Sequence, residues 1–188
     1  MKIIVVTGTN GKTTMAYLMY QALNLLGRKS AYLGTLGFFK QSGKKYKLDN
    51  TTPDICEVYE AMVDAYNDNY EFFILEASSQ GLAQHRLDTI KYDYAVFTNL
   101  THDHLDFHRT MENYAEAKRK VFNELKETGK AFLNFDDEYS GLTGSRINLF
   151  QSGLFTSHCL YFSSLCVSVS LGSTPHSLSR SSFIFLIN

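Results

Sequence analysis

A short glycine-rich segment constrains the fold of this chain more than any other feature. The run Ile3-Ile4-Val5-Val6 before it has strand character, and apolar residues recur at helical spacing from Met15 to Leu26 after it. A strand, a glycine-rich turn with Lys-Thr and a helix together form a phosphate-binding loop (P-loop), in which backbone N–H groups approach phosphate oxygens. The segment therefore predicts a nucleotide phosphate site at Gly8, Thr9, Asn10, Gly11, Lys12, Thr13 and Thr14.

Two side chains of this loop suit the chemistry of a nucleotide–metal complex. Lys12 can reach the terminal phosphates, and the Thr13 hydroxyl can bind Mg²⁺. Only two residues separate Gly8 from Gly11, whereas the common pattern has four residues between its glycines. The loop therefore does not fit the common GTPases.

The first 140 residues predict strands that alternate with helices. The predicted strands are Ile3–Thr7, Ala31–Leu33, Phe72–Glu76, Tyr94–Thr98 and Ala131–Asn134, and the predicted helices are Lys12–Leu26, Asp54–Asn67 and Met111–Glu127. We expect Thr52 and Thr110 to cap the second and third helices. The segments Leu36–Phe39 and Tyr46–Leu48 predict a hairpin off the main sheet. The fold class is α/β, with a mostly parallel sheet covered by helices on both faces and a ligand site at the carboxyl ends of the strands.

The composition changes sharply after Ser140. From residue 141 to residue 188 the only charged side chains are Arg146 and Arg180, and serine is abundant. We interpret residues 1–140 as one domain and residues 141–188 as an atypical Ser-rich tail, produced by a frameshift, a splice error or a truncated gene. A genuine Ser-rich linker is the alternative. A strand at Leu165–Leu171 is the one local pattern in the tail.

Charge and cysteine content limit the partners that we expect. The net charge is −1, which predicts no nucleic-acid partner. The three cysteines have no metal-ligand spacing, and reduced thiols in the cytoplasm are the default expectation. The sequence predicts no signal peptide and no membrane span. We expect a cytoplasmic monomer.

A carboxylate ends one of the predicted strands. Glu76 follows the apolar run Phe72–Leu75, where it can hold Mg²⁺ directly or through water, although a surface glutamate is the alternative. Gln84 and Arg86 come shortly afterwards. An arginine suits a bidentate grip on a carboxylate or phosphate, but each of these two residues alone is as readily plain surface.

A histidine-rich segment and a helical lysine are further candidates. Residues 102–108 contain three histidines and two aspartates, but their spacing is not that of a zinc site and no cysteine is near. One histidine that helps to hold a second Mg²⁺ is the more economical interpretation. Lys118 lies on the third predicted helix, where a solvated lysine is the default.

Taken together, these motifs resemble the Mur ligase family, and within it the members that add the third amino acid of the peptidoglycan stem peptide. The resemblance runs from about Ile3 to Tyr139. The order and spacing of its segments match over residues 7–14, 50–53, 76–86, 99–108, 114–118 and 134–137.

The resemblance implies an ATP-dependent acid–amino-acid ligase. The terminal carboxylate of UDP-N-acetylmuramoyl-dipeptide attacks the γ-phosphate to give an acyl phosphate, and the amine of L-lysine or meso-diaminopimelate then displaces phosphate. It implies that Lys12, His104 and Lys118 are catalytic. The ligands of two Mg²⁺ ions would be Thr13, Glu76, His104 and Lys118.

The resemblance also implies a modified lysine and a substrate site. The family carbamylates the position of Lys118, which requires a neutral amine and hence a site that disfavours the charged form. The positions that match binding sites for the UDP-muramoyl-dipeptide are Asn50, Thr51, Thr52, Ser78, Gln84 and Arg86.

The chain departs from the family pattern in extent. Family members carry an N-terminal domain that binds the uridine nucleotide and a C-terminal domain that selects the amino acid, and residues 1–140 match only part of the central ATP-binding domain. We therefore expect a fragment that binds nucleotide but does not turn over alone. A non-functional truncated product is one alternative. Another is a ligase of the folylpolyglutamate type, which Thr51-Thr52-Pro53 and Ser78-Ser79 disfavour.

Overall fold

A computed structural model describes residues 1–134, 136, 137 and 139, together with the backbone of three short strands between residues 153 and 167. The strands are β1 (Lys2–Thr7), β2 (Ser30–Gly34), β3 (Gly37–Lys40), β4 (Gly43–Tyr46), β5 (Phe72–Glu76), β6 (Tyr92–Phe97), β7 (Leu125–Asn134), β8 (Gly153–Thr156), β9 (Cys159–Phe162) and β10 (Leu165–Val167). The helices are α1 (Lys12–Leu25), α2 (Ile55–Asn67), α3 (Ser79–Ala83), α4 (Leu105–His108) and α5 (Met111–Asn123).

The described strands form one sheet in the order β10-β9-β8-β7-β6-β1-β5-β2-β3-β4. The strands from β8 to β2 in this order run parallel, and β1 lies between β5 and β6. Antiparallel strands extend both edges, with β3 and β4 on one side and β9 and β10 on the other. The predicted α/β fold with a mostly parallel sheet is confirmed.

Helices cover both faces of the sheet, as predicted. Because side chains alternate across a strand, β1 contributes to two cores. Ile4 and Val6 pack on the side of α1, whereas Ile3 and Val5 pack on the side of α2 and α5. Each fully buried side chain of this kind contributes about 1.5–3 kcal/mol to folding. The loop after β1 is therefore anchored by a strand that is held from both sides.

Three local predictions differ from the structure. The third predicted helix ends at Asn123 rather than Glu127, because Leu125 pairs with Tyr92 and begins β7. Thr52 does not cap α2; Asp54 does, in a capping box with Glu57. The predicted hairpin is β3–β4, and it continues the main sheet beside β2 instead of leaving it. Thr110 caps α5 as predicted.

Part of the Ser-rich segment is described as backbone only. Strand β8 pairs in parallel with β7, with Phe132 opposite Gly153. The strand predicted at Leu165–Leu171 corresponds to β10, and residues 168–171 lie outside the described part of the chain. The origin assigned to residues 141–188 stays a prediction. None of the helices formed by described residues is long and apolar enough to cross a membrane.

Candidate nucleotide and magnesium site

The loop between β1 and α1 has a backbone that requires its two glycines. Gly8 and Gly11 have φ values of 147° and 81°, a region that side chains other than glycine rarely adopt. A Cβ on Gly8 would also overlap the Thr98 hydroxyl. The loop is tied to the end of β6, because the N–H of Thr9 donates to the carbonyl oxygen of Asn99 at 2.8 Å. The loop conformation is therefore set before any ligand arrives.

Helix α1 begins without a side-chain cap. Gly11 offers no capping group, and the first turn of the helix contains no acidic residue. By contrast, α2, α3 and α5 are capped by Asp54, Ser78 and Thr110 respectively. The first N–H groups of a helix need acceptors, and they carry the positive end of the helix dipole. The N-terminus of α1 is therefore suited to an anion such as phosphate.

Lys12, at the first position of α1, folds back over the loop. Its Nζ donates to the carbonyl oxygens of Gly8 at 3.0 Å and Thr9 at 2.9 Å. Burial lowers the pKa of Lys12, while the nearby charges of Glu76 and Asp103 act in the opposite direction. These contacts place a positive charge at the mouth of the loop.

Glu76 lies beside this loop, at the end of β5. The pairing of β1 with β5 puts Val6 opposite Glu76, and the Thr13 hydroxyl donates to Glu76 Oε2 at 2.8 Å. The Glu76 side chain is fully buried. A carboxylate and a hydroxyl are hard oxygen ligands of the kind that Mg²⁺ prefers. The chemistry of these donors therefore fits Mg²⁺.

Two residues that the sequence analysis did not identify also contact Glu76. The Tyr32 hydroxyl donates to Glu76 Oε1, and Thr35 donates through both its N–H and its hydroxyl. Burial and the charge of Glu76 raise the pKa of Tyr32, so the phenol remains a donor. The sequence did predict strand β2, but not that β2 lies next to β5.

Lys118 reaches the same loop from α5. It is 1% exposed, and its Nζ donates to the carbonyl oxygen of Gly8 at 2.6 Å. Among the described residues it forms no ion pair with a carboxylate. Burial lowers its pKa well below 10.5, and the charge of Lys12 lowers it further. The amine is therefore held in a site that favours its neutral form.

Tyr114 contacts the phosphate loop, Lys118 and the histidine segment, although the sequence placed it only on the apolar face of a helix. Its hydroxyl is 3.0 Å from the Thr9 hydroxyl, and its ring centroid is 4.6 Å from Lys118 Nζ. The rings of His108 and His104 lie 4.9 Å and 6.2 Å from it, centroid to centroid. One buried ring thus connects the phosphate loop, the lysine and the histidine segment.

His104 lies at the edge of the cluster formed by the phosphate loop, Lys118 and Tyr114. Its side chain is half exposed, and its Nε2 is 3.6 Å from Asp103 Oδ2. No hydrogen bond within the described residues joins it to Thr13 or Glu76. In the same part of the chain no group of three or more His, Cys, Asp or Glu side chains is arranged to hold a metal ion.

Most of the predicted substrate residues form a connected network beside Glu76. The Thr52 hydroxyl donates to the carbonyl oxygen of Glu76 and accepts from the N–H of Ser78. Arg86 donates to the carbonyl oxygen of Thr52 and to the side chain of Gln84. Thr51 is joined to the same region, because its hydroxyl is 3.0 Å from that of Thr35. Asn50 is exposed.

Fold and loop geometry together define a P-loop α/β domain whose candidate ligand site lies at the end of its central strand. A family model described as the Mur ligase middle domain matches residues 6–156. The chain therefore belongs to this family.

Curated relatives of two kinds are similar to this chain. The UDP-N-acetylmuramoyl-L-alanyl-D-glutamate–2,6-diaminopimelate ligase of Haemophilus influenzae (strain PittGG) is 44% identical over 142 residues, which cover 73% of this chain and 28% of that protein. The corresponding L-lysine ligase of Staphylococcus haemolyticus (strain JCSC1435) is 44% identical over 139 residues, with 72% and 28% covered. The chain thus spans about 28% of the length of these relatives.

Solved structures agree with the family assignment. A UDP-N-acetylmuramoyl-L-alanyl-D-glutamate–2,6-diaminopimelate ligase matches with a TM-score of 0.71 and 34% identity, over 83% of this chain and 32% of that one. A bifunctional folylpolyglutamate synthase/dihydrofolate synthase matches with a TM-score of 0.56 and 16% identity, over 82% of this chain and 43% of that one. The second likeness shows the fold alone.

Proposed function

We propose that this chain is the ATP-binding part of a ligase that adds the third amino acid to UDP-N-acetylmuramoyl-L-alanyl-D-glutamate. The observation that carries the proposal is the uncapped start of α1, with Lys12 over the loop and the Thr13–Glu76 pair beside it. The names of relatives that are 44% identical supply the substrate class.

In this proposal the loop and Lys12 bind the phosphates of ATP. The N–H groups of the loop and of the first turn of α1 donate to the phosphate oxygens, and the Lys12 ammonium offsets the charge that builds up on the transferring phosphoryl group. Thr13 and Glu76 would hold one Mg²⁺, which would supply positive charge to offset that of the phosphates. His104 belongs to the second metal position.

Lys118 is proposed to act as a carbamate. A neutral amine adds CO₂ and loses a proton, which converts a cation into an anionic oxygen ligand. The low pKa of Lys118 supports this step, because only the neutral amine is nucleophilic. With Glu76 and His104 it completes the proposed second Mg²⁺ site.

The substrate side of the site is proposed at the network beside Glu76. Arg86 suits an anionic group of the UDP-muramoyl-dipeptide. The same substrate is proposed to contact Asn50, Thr51, Thr52, Ser78 and Gln84. Ligases for lysine and for diaminopimelate are equally similar to this chain, at 44% identity, so the shared region does not distinguish the two amino acids. Because the proposed substrates are ATP and a nucleotide sugar, we propose a cytoplasmic location. The protein is also proposed to be a monomer.

The chain alone is proposed to bind ATP without completing the reaction. It spans about 28% of the length of its relatives, and placing the uridine nucleotide and the incoming amine requires groups beyond that share. Proximity of reactants accounts for about 7–11 kcal/mol of the barrier in well-oriented reactions. A non-functional truncated product is the alternative.

Calorimetric titration of the purified chain with Mg·ATP tests this proposal. The wild type binds, and Lys12→Ala weakens binding by about 10–100-fold, since a hydrogen bond to a charged group contributes about 1.5–3 kcal/mol. Lys91→Ala is the matched control, because Lys91 pairs with Glu124 on the surface. With UDP-muramoyl-dipeptide and either amino acid, no turnover is expected. Failure of the wild type to bind, or equal binding by Lys12→Ala, refutes the proposed role.

A further inference from the structure

We propose that Tyr32, Gly34 and Thr35 position the Glu76 carboxylate for cation binding, with Tyr32 as the residue that fixes its orientation. This inference rests on the proposed function and adds positioning residues to its Mg²⁺ site. Tyr32 is the middle residue of β2, Gly34 is its last residue and Thr35 follows it. None of them is part of the phosphate loop.

The two oxygens of Glu76 have different sets of donors. Oε1 accepts from the Tyr32 hydroxyl and from the N–H of Thr35 at 3.2 Å. Oε2 accepts from the Thr13 hydroxyl at 2.8 Å and the Thr35 hydroxyl at 3.1 Å. One oxygen is therefore held from β2, while the other lies toward α1 and the loop. A cation at the loop would meet Oε2.

Tyr32 is well fixed for this role. It is 0% exposed, and its ring packs against Tyr17 at 5.4 Å and Phe39 at 5.9 Å, centroid to centroid. Its hydroxyl oxygen also accepts the N–H of Leu36 at 3.3 Å. Because the oxygen accepts from Leu36, its own hydrogen is directed to Glu76. The phenol therefore donates in a single direction.

Gly34 provides the space for the carboxylate. A Cβ at this position would overlap Oε1, Cδ and Cγ of Glu76. The backbone of Gly34 does not have a positive φ, so the requirement is for room and not for conformational freedom. Since Glu76 is 0% exposed and accepts four hydrogen bonds, it has no ready alternative position.

Partners that hold metal ligands in place typically change metal affinity by about 10–100-fold when they are removed. Tyr32→Phe keeps the packed ring and removes one donor to Oε1. We expect the Mg²⁺ concentration for half-maximal ATP binding to rise about tenfold. ATP binding in EDTA should stay unchanged, because the loop and Lys12 are untouched.

Tyr20→Phe is the matched control. Tyr20 belongs to the same aromatic cluster, and its buried hydroxyl donates to the carbonyl oxygen of Lys40 at 2.9 Å, away from Glu76. Both variants lose one buried hydroxyl and keep the aromatic ring, and Tyr32→Phe also removes the acceptor of the Leu36 N–H. Only Tyr32→Phe should shift the Mg²⁺ dependence. Gly34→Ala is a second test. It should also raise the Mg²⁺ concentration for half-maximal ATP binding, because the added Cβ forces the Glu76 carboxylate to move.

The outcomes separate the two proposals. If the wild type does not bind Mg·ATP, the proposed function fails, and this inference fails with it. If the wild type binds and Tyr32→Phe shifts the Mg²⁺ midpoint no more than Tyr20→Phe does, the positioning role alone is refuted. If Tyr32→Phe is too unstable to assay, an unchanged midpoint in folded Gly34→Ala also refutes it, and a raised midpoint supports it.

Discussion

Two buried lysines in this domain have opposite environments. Lys40, on β3, is 4% exposed and forms ion pairs with Asp64 at 2.9 Å and with Asp68. Lys118, on α5, is 1% exposed and has a carbonyl oxygen and the ring of Tyr114 as its partners. Both side chains have little exposed surface, and of the two only Lys40 forms ion pairs with carboxylates of the described residues.

The difference in partners reverses the effect on the pKa. For Lys40, burial acts to lower the pKa, but the hydrogen bonds to Asp68 and Asp64 outweigh it and the pKa is raised. For Lys118, burial and the charge of Lys12 both lower the pKa. A buried lysine with carboxylate partners therefore stabilises the fold, whereas one without them is available for chemistry.

The largest difference that we expect between Lys118 and Lys40 is in carbamate formation. In buffer with ¹³C-bicarbonate, NMR of the wild type should show a carbamate signal. The signal should be absent in Lys118→Met and present in Lys40→Met, because burial lowers the pKa of Lys118 well below its usual value, whereas the pKa of Lys40 is raised. A carbamate signal that survives Lys118→Met would contradict the comparison.

The next contrast is in the pH dependence of stability. The folded pKa of Lys118 lies below its unfolded value, so the unfolded state binds more protons between the two values and the free energy of unfolding rises with pH in that window. One such group contributes at most about 1.4 kcal/mol per pH unit within that window. The contribution of Lys40, whose pKa is raised, is constant over this range and is lost only above pH 10.5.

Urea unfolding in CO₂-free buffer at several pH values measures this slope. In Lys118→Met, the rise of the free energy of unfolding with pH should be smaller than in the wild type. In Lys40→Met, it should be unchanged. Equal slopes in wild type and Lys118→Met would mean that the amine is protonated in the folded state.

Substitution of Lys118 by methionine should stabilise the fold at pH 7. Methionine has a similar shape and avoids the cost of burying an amine, and the carbonyl oxygen of Gly8 keeps Lys12 as a donor. Burying a polar group that is not fully hydrogen-bonded costs about 1–3 kcal/mol in proteins, and we expect a gain of about 2 kcal/mol here. A lower midpoint in urea unfolding would show that the bond from Lys118 to Gly8 outweighs that cost.

Lys40→Met should have the smaller and opposite effect. It leaves Asp64 and Asp68 without this partner, but their side chains are about half exposed and remain hydrated. We therefore expect a loss of about 1 kcal/mol, measured by the same unfolding experiment. A gain in stability would mean that the ion pairs of Lys40 with Asp64 and Asp68 do not stabilise the fold.

Local sequence determined much of the fold and the core of the site. The apolar run of β1, the glycines and the amphipathic segment of α1 are contiguous, so short-range geometry already sets the strand, the turn and the helix. The cap at Thr110 was predictable for the same reason. Leu125 was not, because it continues the helical period of α5, whereas pairing with Tyr92 places it in a strand.

Only the tertiary structure decided which side chains meet. Tyr32 is 44 residues from Glu76, and Lys118 is 110 residues from Gly8. Their contacts depend on the order of strands in the sheet and on the face that α5 covers, and neither is encoded in a local pattern. The sequence by itself determined a phosphate loop on an α/β domain. The position of Tyr32 beside Glu76, and the burial of Lys118 without an ion pair among the described residues, follow from strand order and helix packing.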